Sequence, residues 1–118
     1  MDIDVDPEAI RRLLRAGGPD LVEKMLLLFL ANTPDRLSRM RTGAEGADWA
    51  SLERAAHSMK SSAAYLGLGD LHARAEEAER LAREGRGPEI RPLLEGLDRA
   101  FSAVQGELPC IVRRLLAL

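Results

Sequence analysis

Residues 49–66 read WASLERAAHSMKSSAAYL. Trp49, Leu52, Ala56, Met59, Ala63 and Leu66 follow one another at steps of 3, 4, 3, 4 and 3. That spacing stacks six apolar side chains along one face of an α-helix. Asp48 stands where an N-cap is needed, and Gly67 and Gly69 supply the stop. A helix turns about 100° per residue, which puts His57 roughly 140° from the centre of the stripe. The imidazole therefore points outward. Ala50, Glu53, Arg54, Lys60, Ser61 and Ala64 surround it at helical spacing. Lys60 lies at the flank of the stripe, where its ammonium can reach back towards the ring. Ser58, Ser61, Ser62, Ala63 and Ala64 have little bulk, so the surface beyond the histidine is low.

The same reading extends in both directions. Asp6-Pro7 is an N-cap followed by proline at the first helical position, opening a short helix to about Ala16. Gly17-Gly18 ends it. Pro19 opens a second helix, with Asp20 in its first turn and Val22, Met25, Leu26, Phe29, Leu37 and Met40 on its apolar face. Pro34 interrupts that pattern and predicts a kink, because it has no N–H for the Leu30 carbonyl. The fourth helix carries Leu71, Ala75, Ala78 and Ala82 and stops at Gly85. The fifth begins within 88–93 and carries Ile90, Leu93, Leu97, Phe101, Val104 and Leu108. Pro109 then predicts a break or kink before a last apolar stretch, CIVRRLLAL. No segment alternates with the period of a strand. An all-α fold follows: an antiparallel up-down four-helix bundle over about 19–108, an extra short N-terminal helix as a lid over 1–18, and an apolar tail at 109–118. All 118 residues form one domain in this reading.

Composition narrows the function classes. The formal net charge is −2, too low for a global basic field that would hold nucleic acid. The longest apolar run, MLLLFLA at 25–31, is far short of a membrane span. The N-terminus MDIDVD lacks the basic and apolar regions of a signal peptide. Cys110 is the one cysteine, which excludes an internal disulfide and suits the cytoplasm. It reads as a small buried hydrophobe. No Gly-rich phosphate loop, Ser–His–Asp set or acidic metal cluster occurs, so the chain lacks the parts to bind ATP or hydrolyse phosphate alone. His72 reads as a capping or solvated residue, and with His57 it lacks the further ligands of a zinc site. Arg11-Arg12 and Arg113-Arg114 read as solvated faces.

An exposed imidazole is a good nucleophile near neutral pH, and a lysine one turn away can balance the oxygens of a phosphoryl group. A surface histidine beside a lysine is also common, and nothing in the spacing identifies phosphate. Lysine is at least scarce here: Lys24 and Lys60 stand against fifteen arginines.

The stretch AAHSMKSSAAYLGLGDL at 55–71 resembles the signature of histidine-containing phosphotransfer (HPt) domains. His57, Met59, Lys60, Ser61, Ser62, Ala63, Leu66 and Gly67 occupy the matching places. FLANTPDRL at 29–37 and the alanine-rich fourth helix with its glutamates are similar too. Serine at 61 departs from the glycine that many members carry. The resemblance implies a four-helix bundle and a phosphorelay intermediate without autonomous kinase or phosphatase activity. His57 would accept the phosphoryl group and Lys60 would stabilise it. Arg54, Ser58, Ser61, Ser62, Ala64 and Gly67 would form the docking face for a receiver domain. Glu79 matches the position from which a polar side chain approaches the histidine, with Arg83 one turn later; an exposed Glu79–Arg83 ion pair is the plainer alternative. The implied partners are receiver domains of a hybrid sensor kinase and a response regulator, with Mg²⁺ supplied by the receiver and no cofactor or metal of its own. A monomer is expected, with dimerisation through the C-terminal tail as the alternative. A non-catalytic helical module that binds receivers is the rival function. A dimerising histidine-kinase fragment would need a second, nucleotide-binding domain.

Overall fold

Four helices account for nearly all of residues 3–117, which the computed structural model describes. They are α1 (Pro7–Glu45), α2 (Trp49–Tyr65), α3 (Gly69–Glu84) and α4 (Gly87–Leu116). No strand occurs among the described residues. Each helix packs on its neighbours in a ring, α1 on α2, α2 on α3, α3 on α4 and α4 on α1, while the diagonal pairs do not meet. Short turns between the helices make this an antiparallel up-down bundle.

The caps follow the sequence. The Asp6 carboxylate accepts from the Glu8 N–H at 3.0 Å, and Asp48 accepts from the Ser51 N–H at 3.2 Å. Gly85 closes α3 in the left-handed conformation, φ 67°. The expected short helix and its successor both lie within α1, separated only by Gly18 (φ 74°, ψ −171°). One glycine thus reverses the backbone without a loop, and Pro19 resumes the helix. Ile10 and Leu13 of the first segment are buried in the core, so it covers one end of the bundle. Residues 1 and 2 of the expected lid and residue 118 of the expected tail lie outside the described residues.

Two proline expectations need correction. Backbone torsions stay helical at Pro34, and the buried Thr33 hydroxyl donates to the Phe29 carbonyl there at 2.6 Å. Pro109 does not end a helix either: α4 continues through it to Leu116. Leu108 and Val112 are buried on its two sides, and Leu115 and Leu116 pack on the core. An interior proline costs about 3 kcal/mol. Burying two aliphatic side chains returns roughly that amount or more. The stretch from 109 onward is therefore part of the bundle, not a tail. Cys110, expected to be buried, is exposed on this last part of α4. His72 is partly exposed, and no side chain caps the start of α3.

The seam between α2 and α3 is lined with small residues. Ala56 and Ala63 on α2 and Ala75, Ala78 and Ala82 on α3 are all buried. Small side chains let two helix backbones approach closely. A glutamate on α3 can then reach side chains on the outer face of α2. Elsewhere the core is filled by larger groups, such as Phe29 against Phe101, edge to face with centroids 5.8 Å apart.

Candidate functional site

His57 stands on the outer face of α2, with its side chain 61% exposed. Its Nδ1 lies 2.6 Å from Oε2 of Glu79 on α3. The other oxygen of that carboxylate, Oε1, accepts from Lys60 Nζ, also at 2.6 Å. Lys60 therefore does not reach the ring; it meets the carboxylate that holds the ring. Glu79 itself is buried, with 8% of its side chain exposed. Burial pushes its pKa up, but the hydrogen bonds and charges of Lys60 and His57 outweigh that and hold it below the ordinary 4.5.

An ionised carboxylate only accepts hydrogen bonds. The short contact therefore puts a proton on His57 Nδ1. In the neutral ring the lone pair then lies on Nε2, at the outward edge. A carboxylate beneath the ring also favours any positive charge that develops on it. The exposed ion-pair alternative for Glu79 does not hold: Arg83 Nη2 is 3.9 Å away, and Arg83 Nε instead donates to Glu53 Oε1 at 3.1 Å.

The remaining expected site residues divide. Arg54, Ser61 and Ala64 are exposed on the His57 side of α2, and Ser58 is half-buried. Ser62 turns towards α1: its hydroxyl donates to the Ser58 carbonyl at 3.0 Å and accepts from Arg36 Nη1 at 2.9 Å. Gly67 is not on the docking face. Its carbonyl accepts from the Asp6 N–H at 2.8 Å, with φ at +70°. A Cβ there would fall 2.6 Å from the Asp6 carbonyl oxygen. Gly67 serves the α2–α3 turn and the seat of the N-terminal segment. Beyond Ser61 and Ala64 lies an open groove of about 510 Å³, with Tyr65 on one side and Arg12, Leu13 and Ala16 of α1 on the other. Sequence reasoning overlooked Tyr65, which is exposed and lies about 80° from His57 on the helical wheel. It also gave no role to Glu53. Among the described residues, no cluster of three or more His, Cys, Asp or Glu side chains is placed to hold a metal ion.

The family model described as Hpt domain matches residues 24–107, well over half of the chain and inclusive of His57, Lys60 and Glu79. The chain belongs to the Hpt domain family. The Hpt fold is supported separately by a solved structure, histidine-containing phosphotransfer protein B (HptB) from Pseudomonas aeruginosa PAO1. It superposes with a TM-score of 0.85 at 23% identity, covering 94% of this chain and 96% of that one. No match was found among curated proteins. No helix of this Hpt protein among the described residues is long and apolar enough to cross a membrane.

Proposed function

We propose that this Hpt protein carries a phosphoryl group on Nε2 of His57 between receiver-domain aspartates of a phosphorelay. The observation that carries the reading is the exposed imidazole whose Nδ1 proton is held at 2.6 Å by a buried carboxylate. The Nε2 lone pair attacks the phosphorus of an aspartyl phosphate in line. The N–P bond forms as the P–O bond to the aspartate breaks, and the carboxylate leaves. The Nδ1 proton stays in place, and Glu79 balances the charge the ring acquires. The reverse sequence returns the phosphoryl group to a second receiver. Lys60 keeps Glu79 ionised and adds positive charge beside the phosphoryl group.

Arg54, Ser58, Ser61 and Ala64, with the groove beyond them, form the docking face in this reading. The partners are receivers of a hybrid sensor kinase and of a response regulator, meeting a monomer in the cytoplasm. Mg²⁺ enters with the receiver, where it would neutralise the transferring oxygens. The chain is a carrier, with no kinase or phosphatase activity of its own. The test is His57→Gln. The variant is expected to fold like the parent, because the ring is largely exposed, and to take up no phosphoryl group from receivers charged with acetyl phosphate. Full labelling of it refutes the assignment. Wild-type protein that binds receivers without accepting phosphoryl points instead to a non-catalytic module.

A further inference from the structure

Two cations stand beside His57, and they are held differently. Lys60 Nζ is bonded to the buried Glu79 and is only 22% exposed. Moving it away would leave a buried carboxylate short of a partner, which is costly. Arg83 is 61% exposed and bonded through Nε to Glu53 at 3.1 Å. Its Nη2 lies 3.9 Å from the same Glu79 oxygen that accepts from His57 Nδ1 at 2.6 Å. The guanidinium is thus two contacts from the imidazole but anchored to another group. Glu53 sits four residues before His57, on the same side of α2, and its side chain is 35% exposed. It can release Arg83 to a stronger anion and be hydrated in its place. A phosphoryl dianion with three oxygens is such an anion, and guanidinium pairs with it in a fork that lysine cannot make.

We infer that Glu53 is a positioning residue for the phosphorylated state: it competes for Arg83 and thereby sets how much of that cation's charge the phosphoryl group on His57 receives. This rests on the reading of His57 as the phosphoryl acceptor. In the resting protein the competition is won by Glu53, which keeps the guanidinium to one side of the ring. In the phosphorylated protein the dianion and Glu53 share it. Glu53 thus tunes the phosphohistidine without touching it.

The experiment uses the full chain phosphorylated with phosphoramidate and follows the ³¹P resonance against pH. The titration yields the second ionisation of the phosphoryl group, which a merely structural role of Glu53 would not move. Glu53→Gln frees Arg83 and is expected to lower that pKa by about half a unit, a roughly threefold change in proton affinity, the scale of an exposed ion pair. Arg83→Ala is expected to raise it. In the Arg83→Ala background, Glu53→Gln should lose at least about two thirds of its effect. A Glu53→Gln shift that persists there shows that Glu53 acts by its own charge, and overturns the inference. So does a signal whose pKa ignores Glu53→Gln. No phosphohistidine signal from the wild-type chain overturns the function itself, and the inference with it.

Discussion

Replacing Glu79 by glutamine tests the mechanism at its narrowest point. The substitution keeps the shape of the side chain but leaves one acceptor oxygen where there were two. In the native site both oxygens are used, Oε2 by His57 Nδ1 and Oε1 by Lys60 Nζ, each at 2.6 Å. The lysine ammonium competes for the single amide oxygen more strongly than a neutral ring N–H does. The amide NH₂ is then left facing Nδ1. It can only donate, so Nδ1 must accept and the ring proton moves to Nε2. The nucleophilic lone pair is blocked, and the carboxylate that balances the charged ring is gone. A hydrogen bond to a charged group is worth about 1.5–3 kcal/mol. At about 1.36 kcal/mol per factor of ten, phosphorylation should slow roughly 10- to 150-fold. Stability should fall by only about 1 kcal/mol, because Lys60 is at the edge of solvent and can turn outward. Two measurements check this: the rate of labelling by an acetyl-phosphate-charged receiver, and ¹⁵N NMR of the ring, which reports the protonated nitrogen. A variant that labels within about twofold of the parent rate, with its proton still on Nδ1, refutes the reasoning.

Lys60→Ala should fold and still label, but about tenfold more slowly, since it removes one charged hydrogen bond while Glu79 keeps its hold on the ring; an unchanged rate in the same receiver assay removes the role assigned to Lys60. Gly67→Ala should destabilise the protein by about 2–4 kcal/mol in urea unfolding, combining a left-handed backbone with a clash against the Asp6 carbonyl and a strained Asp6 N–H bond; a loss under about 1 kcal/mol would mean the N-terminal segment shifts freely. Glu79 also predicts a pH dependence. Its folded pKa lies below 4.5, so its contribution to stability is fully present above that value and is lost as pH falls through the depressed folded pKa. The stability gap between wild type and Glu79→Gln should therefore close on acidification below pH 4.5, as read from urea midpoints along the pH series; a gap that widens there contradicts the assigned direction.

Much of this protein was legible in its sequence, and the reason is locality. The apolar steps in α2, the Asp6 and Asp48 caps and the stop at Gly85 involve residues within a turn or two of each other, so helical geometry alone fixes them. The same geometry set His57 outward and placed Met59, Ala63 and Leu66 in the core, where all three are fully buried. Glu79 was reached through family resemblance, and even that did not foresee its double bond to His57 and Lys60.

What only the tertiary structure decided lies where separate helices meet. The register of α3 on α2, set by the turn through Gly67 and the alanine seam, brings Glu79 under His57 and turns Lys60 from the ring to the carboxylate. Wheel position could not tell Ser62, which faces α1, from its neighbour Ser61, which faces solvent. Gly67 was read as part of the docking face; the chain segment that covers it starts sixty residues earlier, at Asp6. Local rules also misread Pro109, because the loss of one backbone hydrogen bond is local, whereas the burial of Leu108 and Val112 that offsets it depends on α1 and the core. Periodicity in this chain determines which way each side chain points; packing between helices determines what it meets.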